Sequence, residues 1–529
     1  MNGNGDEEKG GKKYTTELKA ILKLKIVSAL NMRWITHKYR LLHVLSLLLL
    51  LSMVPSSCKN PREVSMPTSS TVLKPVLRDI DEIKSRGKLV ALVGNSSSSY
   101  FIYRGRPMGF EYELLERLAK ELEVDLEVVI PTDMNDIFDM LNRGEGDIVA
   151  ASLTVTKERA KSVSFSEYLM QTRQVLVQRK PEGWRTMRWD KVRRSLIRNQ
   201  LDLIDKTIHV RRNSSYYSRL VNLSDELGGD IHLNTVSGDV TTEELIKKVA
   251  EGEIEFTVAD EHIAQLNATY FSDLDVEMPI SFPQRLAWAV RKNSPGLKNE
   301  VDKWLQSERR TSDYNHIVKK YYKNRKAYMQ RSSSGYHSQF GGKISIYDAS
   351  FKEHASLSGW DWRLIASLAY QESKFNNDLV SWAGARGLMQ MMPETARRFG
   401  GDSIMTAEKS IITGIKFLNY LEDYWVKHIP DSTQRMPFVL ASYNAGLGHI
   451  IDARSLTEKY GNDPDNWAAV SYFLKGKTQR RFYKDPIAKH GYCRGEEPVK
   501  YVTQILGRYQ QYQKLIPMAL GEQQVLVSR

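Results

Sequence analysis

KLVALVGNSSSSYFIYRGRPMGFEYELLERLAKELEVDLEVVIPTDMNDIFDMLNRGEGDIVAA, residues 88–151, decides the fold of the first half of the chain. Lys88-Leu-Val-Ala-Leu-Val93 is a short apolar run that reads as a buried strand. Glu111 to Leu122 repeats its leucines with helical spacing, and Leu126 to Ile130 returns to a β-rich run. Ile137 to Leu141 is a short helix, and Asp147 to Ala151 a third strand. Strands alternating with helices predict an α/β domain built on a parallel sheet.

Outward from this stretch, the chain divides. Upstream, residues 59–75 are polar with three prolines and read as a tether. Before them, Leu41 to Val54 is an apolar run of fourteen residues, too short for a helix to cross a bilayer core of ~30 Å. Arg33, Lys38 and Arg40 precede it, and Pro55-Ser56-Ser57-Cys58 follow, the arrangement of a secretory signal peptide. The cysteine after small residues resembles a bacterial lipobox, although Pro55 departs from the usual pattern. That resemblance implies acylation at Cys58 and a lipid anchor in the outer membrane facing the periplasm; the plainer alternative is a cleaved signal with an incidental cysteine. Residues 1–31 form an extension to the signal, and Met32 would begin a signal of conventional length. Downstream, Ser332-Ser-Ser-Gly335 and Gly341-Gly342 mark a second break. The expected organisation is a signal over 1–57, a lipidated cysteine and tether over 58–75, a first domain over 76–325, a linker over 326–342, and a second domain over 343–529.

Composition excludes several classes. Hydrophobic residues make up 41% of the 529 and charged residues 26%, which is globular usage. Two cysteines exclude a disulfide-stapled fold or a multi-cysteine metal site. A mean hydropathy of −0.44 excludes a polytopic membrane protein. Of the net charge of +13, residues 1–58 carry +5, which leaves +8 for the remainder. The densest basic stretch, Arg185 to Arg212, holds nine basic and three acidic residues and reads as a solvated surface around a crossing between lobes. Nucleic acid is not expected as a partner.

Several segments of the first domain resemble the bacterial periplasmic solute-binding proteins of family 3, the amino-acid-binding type. They are Gly105-Arg-Pro-Met-Gly-Phe-Glu111, Leu141-Asn-Arg-Gly-Glu-Gly-Asp-Ile148, Ser152-Leu-Thr-Val-Thr-Lys-Glu-Arg159 and Val163-Ser-Phe-Ser166. The resemblance implies two lobes, one from residues before about 178 and after about 283, the other from the middle, with a ligand between them. It implies that Arg159 grips a ligand carboxylate through two parallel hydrogen bonds. Asp260 would hold an ammonium, and Ser152 and Thr154 would add hydroxyl or backbone contacts. An amino acid or muropeptide is the implied ligand. The plainer readings are a surface Arg159 opening a helix capped by Thr156, and an Asp260 that caps the helix after it.

From residue 343 the periodicity becomes helical. Asp361 to Lys374 sets Ile365, Leu368, Ala369 and Glu372 on one face. A carboxyl on an apolar face resists ionisation, as a general acid near neutral pH must; the plainer reading is a helix-end glutamate turned to solvent. Glu372-Ser-Lys-Phe375 is followed by Gly384-Ala-Arg-Gly-Leu-Met-Gln-Met-Met-Pro-Glu-Thr-Ala396, then Ala441-Ser-Tyr-Asn-Ala-Gly446 and Tyr501-Val. Together these motifs resemble the soluble-lytic-transglycosylase domain, a mainly α, goose-lysozyme-like fold acting on peptidoglycan.

This second resemblance implies Glu372 as the catalytic acid, with Ser381, Gln390, Met392, Tyr443, Asn444 and Tyr501 around the glycan strand. Tyr501 would position Glu372 and keep it protonated. Ordinary glycosidases need two carboxylates. The motifs supply one, since Asp378 and Glu394 fall in linker and helix positions. A single acid suits non-hydrolytic cleavage between N-acetylmuramic acid and N-acetylglucosamine, giving a 1,6-anhydro product without a cofactor. A hydrolysing lysozyme and a non-enzymatic wall sensor remain as alternatives. Cys493 is read as a structural thiol.

Overall fold

The computed structural model describes residues 75–402 and 406–518; the expected signal, Met32, Cys58 and nearly all of the tether lie outside the described residues. The described residues belong to one compact unit, in which a two-lobed α/β domain is followed by a helical one.

The first lobe is a five-stranded sheet ordered Asp125–Val129, Lys88–Val93, Ile148–Thr154, Gln284–Arg291, Val163–Thr172. Lys88–Val93 pairs in parallel with both its neighbours. Leu89, Ala91 and Val93 on one face and Leu92 on the other are fully buried there, as a strand covered on both faces requires. The helix Phe110–Glu121 covers one face with Leu114, Leu115 and Leu118. Within this lobe the expected parallel pairing ends with these three strands. Gln284–Arg291 enters antiparallel on both sides, because the chain returns from the second lobe in the opposite direction.

The second lobe has a sheet ordered Leu274–Asp275, Gln174–Arg179, Phe256–Asp260, Thr207–Arg211, His232–Val236. The crossings fall at Arg173 and between Ser281 and Gln284, so the first lies a few residues before the expected 178. The basic stretch 185–212 therefore lies within the second lobe and not at a crossing. Arg185, Arg188, Arg194 and Arg198 of this stretch form ion pairs, Arg198 bonding both oxygens of Asp275 at 2.9 and 2.8 Å.

The segment expected as a linker is packed. The helix Arg325–Ser332 buries Tyr328, and the buried His337 ring stacks on Phe101 at 4.3 Å. These ring contacts hold a serine- and glycine-marked segment that composition alone reads as a break. Beyond it, helices Asp348–Leu357, Trp362–Ser373, Ala407–Trp425, Ser432–Ala445, Leu447–Lys459, Trp467–Gly476 and Glu496–Leu515 form most of the second domain. Its core holds Phe351, Leu368, Trp425, Phe438 and Ile505, and one hydrophobic cluster runs from these residues into the first lobe.

The join between domains is specific. A hairpin of the first lobe, Phe101–Tyr103 with Arg106–Met108, turns at Gly105 with φ +74. Its carbonyl accepts a hydrogen bond from Tyr512 Oη at 2.7 Å. Any side chain at Gly105 would collide with the Phe375 ring, so glycine is required by backbone angle and by close approach together.

Candidate active site and ligand cleft

Glu372 lies in the last turn of the helix Trp362–Ser373, whose N-terminus Asp361 caps by accepting from Arg363 N. The helix stops because Lys374 and Phe375 both take left-handed conformations, φ 53 and 63. Such angles are unfavourable for side-chain-bearing residues and persist where packing over-determines them. Ser373 Oγ then ties the helix end to the next motif by donating to Leu388 O at 2.9 Å.

The Glu372 carboxyl is half-buried, and Tyr501 Oη donates to its Oε1. Burial pushes its pKa from 4.5 up to about 7, with the Tyr501 bond and the Lys374 ammonium acting in the opposite direction. A donor directed at a carboxylate favours the charged form. The expectation that Tyr501 keeps Glu372 protonated is therefore reversed. Tyr501 fixes the carboxyl in place, and burial holds the proton. Lys374 itself is depressed to about 8 by burial first and by Arg508 next, while its Nζ lies 4.3 Å from the Tyr370 ring centroid.

The glycine-rich motif forms the neighbouring wall. Gly384 and Gly387 turn at φ +88 and +80, and Gly384 N donates to Ser381 O at 2.9 Å. Ser381 Oγ accepts from Ala385 N at 2.9 Å, closing that turn. Gln390, also left-handed at φ 45, donates to Leu379 O and Gly387 O, both at 2.9 Å. Met389 and Met391 are buried, whereas Met392 is exposed at the start of the helix Pro393–Arg398. Tyr443 Oη donates to Met389 O at 2.7 Å, and its ring region lies within electrostatic reach of both Glu372 and Tyr501. Asn444 is exposed one residue on. Glu372, Tyr501, Tyr443 and the Met389–Met391 wall thus come together. Ser381 and Gln390 bond within the glycine-rich segment, and Met392 and Asn444 are exposed. Asp378 and Glu394 are exposed.

Arg508, which the sequence reading missed, sits about two turns beyond Tyr501 on the helix Glu496–Leu515. It donates to Gln371 Oε1 at 2.9 Å and to Ser367 O at 3.1 Å, locking the two helices that carry Glu372 and Tyr501. An arginine in a polar helix carries no distinguishing signal in sequence.

Between the lobes lies a cavity of about 430 Å³ lined by Ser152, Thr154, Arg159, Arg211, Tyr216, Asp260 and others, including Lys514 and Leu515 of the second domain. Arg159 Nη1 donates to Thr154 O at 3.1 Å, and burial depresses its pKa to about 10, with Arg211 adding repulsion. Thr156 does cap the turn at Arg159 N, yet the guanidinium is directed inward. Asp260 occupies the cap position of the helix Glu261–Tyr270 without a side-chain capping bond. Its Oδ2 accepts from Tyr216 Oη at 3.1 Å, its Oδ1 has no partner, and burial raises its pKa to about 7. The Ser152 hydroxyl is engaged by Glu111 Oε1 at 2.5 Å, and Thr154 Oγ1 accepts from Ser215 Oγ at 3.2 Å across the lobes. Each hydroxyl makes one contact within the protein, and because a hydroxyl both donates and accepts, Ser152 can still accept and Thr154 can still donate. Arg211 ends the strand Thr207–Arg211 and Tyr216 lies in the first turn of the helix Ser215–Leu227, while Lys514, also missed by sequence, comes from far along the chain.

Residues 89–324 match the family model of bacterial extracellular solute-binding proteins, family 3, and residues 349–466 match the transglycosylase SLT domain. A mutant of ArgBP from T. maritima aligns over 46% of this chain and 99% of its own, at 23% identity and a TM-score of 0.39. The chain is 34% identical over 433 residues to a membrane-bound lytic murein transglycosylase F of Desulfosudis oleivorans, covering 82% of this chain and 91% of that one. It is 33% identical over 429 residues to one of Saccharophagus degradans, covering 80% and 82%. With both domains matched in order and a half-buried glutamate in the helical one, the chain belongs to the membrane-bound lytic murein transglycosylase F family.

Proposed function

We propose that this chain cleaves peptidoglycan glycan strands without water, with Glu372 serving first as acid and then as base. The observation that carries the reading is the half-buried Glu372 carboxyl, poised at about 7 and bonded by Tyr501, with the motif's neighbouring acids Asp378 and Glu394 exposed. Protonated Glu372 donates to the oxygen joining N-acetylmuramic acid C1 to N-acetylglucosamine, and the C1–O bond breaks. The C2 acetamido group steadies the positive charge left at C1. Glu372, now a carboxylate, takes the proton of the muramoyl 6-hydroxyl, whose oxygen bonds to C1. The product is a 1,6-anhydromuramoyl end, and Glu372 regains its proton, so no cofactor enters. Acid–base assistance of this kind contributes about 10²–10⁴-fold.

In this reading Tyr443 shapes the wall beside Glu372, and Ser381, Gln390, Met392 and Asn444 line the path of the strand. Glu372→Gln tests it. The variant should fold and bind sacculi while releasing no anhydromuropeptides; full activity would refute the assignment.

The cleft of the first domain is read as an amino-acid or muropeptide site, with Arg159 on the carboxylate and Asp260 on the ammonium. The helix Glu496–Leu515 carries Tyr501 near one end and Lys514 at the cleft near the other, a span of about 20 Å at 1.5 Å per residue. Ligand binding between the lobes would reach Glu372 through this helix. The domains are placed at 76–325 and 343–529, joined by 326–342.

Membrane association rests on the amino-terminal segment. The signal over 1–57 directs export, and acylation of Cys58 anchors the chain to the outer membrane, facing the periplasm. Among the described residues no helix is long and apolar enough to cross a membrane. Loss of fatty-acid labelling in Cys58→Ser, with release of the chain from membranes, is the expected outcome.

A further inference from the structure

The charges of the interlobe cleft do not balance for a simple zwitterion. Arg159 and Arg211 line the same cavity and lie close enough to repel one another. Neither forms an ion pair with a carboxylate among the described residues, although many surface arginines of this chain do. The other acids of the cavity are engaged elsewhere. Glu243 accepts from Ser97 N at 3.2 Å and Ser97 Oγ at 3.4 Å, a contact across the lobes. Asp239 is exposed and bonded within its own turn to Ser237 and Val240. Lys514 Nζ donates to Ile130 O at 2.8 Å. What remains is two guanidinium groups and Asp260, a residue only 6% exposed whose Oδ1 lacks a partner.

An unpartnered buried carboxylate oxygen calls for a cationic donor, and two neighbouring arginines call for two anions. A zwitterionic amino acid supplies one cation and one anion, which satisfies Asp260 and Arg159 and leaves Arg211 unmatched. We propose that the cleft takes an α-amino acid bearing a second, side-chain carboxylate, with Arg211 holding that distal group. The proposal rests on the amino-acid reading of the cleft given above. Arg211 ends the strand Thr207–Arg211, and Ser214 caps the following helix Ser215–Leu227, so the arginine is held by the lobe's framework at the cavity wall.

Isothermal titration of the full-length chain tests the proposal with L-glutamate, L-2-aminoadipate and L-glutamine. Glutamate and glutamine share a shape and differ in charge, and aminoadipate extends the reach by one methylene. The wild-type chain should bind at least one diacid about tenfold more tightly than glutamine. Arg211→Gln should remove that preference while leaving glutamine binding within about twofold, and Arg211→Lys should restore part of it. Equal binding of all three, or a diacid preference that survives in Arg211→Gln, overturns the role of Arg211 and leaves the amino-acid reading intact. If the wild-type chain binds none of the three, the inference and the amino-acid reading fall together. Should Arg211→Gln bind nothing, the Arg211→Lys variant decides: no diacid preference there refutes the proposal.

Discussion

Tyr501→Phe separates two accounts of the catalytic pair. The substitution keeps the ring and removes one O–H, which donates to Glu372 Oε1. If the tyrosine held the proton on Glu372, its loss would lower the glutamate pKa. The structure gives the opposite sign. Burial raises Glu372 to about 7, and the hydrogen bond from Tyr501 restrains that rise by favouring the carboxylate. A hydrogen bond to a charged group contributes about 1.5–3 kcal/mol. At about 1.4 kcal/mol per pH unit, its removal should carry Glu372 up by about one to two units. The basic limb of the pH–rate profile for anhydromuropeptide release should therefore move from near 7 toward 8 or above. The maximal rate should also fall, because the carboxyl loses its positioning contact. A basic limb that stays in place or moves toward acid would refute the reasoning.

Other outcomes follow from the same contacts. Glu372 is raised from 4.5 to about 7 in the folded chain, so the native state binds the extra proton between those values and loses stability as pH rises through them. Relative to wild type, Glu372→Gln should gain about 3 kcal/mol between pH 4.5 and pH 8, read by denaturant unfolding; parallel stability curves would contradict this. Gly105→Ala meets the Phe375 ring at a left-handed turn and should cost about 1–3 kcal/mol, seen as a lower Tm with weaker docking of the domains. Asp260 is raised to about 7 in the ligand-free cleft and must ionise to hold an ammonium. Amino-acid affinity should then fall as pH drops below 7, by up to about tenfold per unit, and calorimetry over pH 5–8 checks this against a flat profile.

How much of this was legible beforehand differs by element. The buried strands and leucine-rich helices of residues 88–151 announced themselves because period and burial coincide there, and Glu372 stood out as a carboxyl among apolar neighbours. The antiparallel return of Gln284–Arg291 was not readable, since pairing direction depends on where the chain re-enters and not on local pattern. Residues 326–342 read as a linker because serine and glycine dominate, yet Tyr328 and His337 pack it down. Motif position placed Ser152 and Thr154 at the cleft, but not the bonds that orient their hydroxyls, to Glu111 and from Ser215, because those partners lie far along the chain. Arg211, Arg508 and Lys514 were invisible for a common reason. A basic residue gains meaning from what faces it across space, and those partners lie tens to hundreds of positions away.

The central claim is cleavage without water, and mass spectrometry of sacculi digested in ¹⁸O-labelled water tests it most directly. The account predicts muropeptides ending in 1,6-anhydromuramoyl groups with no ¹⁸O, and none from Glu372→Gln. Reducing muramoyl ends carrying ¹⁸O would show that water attacks C1 and would contradict it.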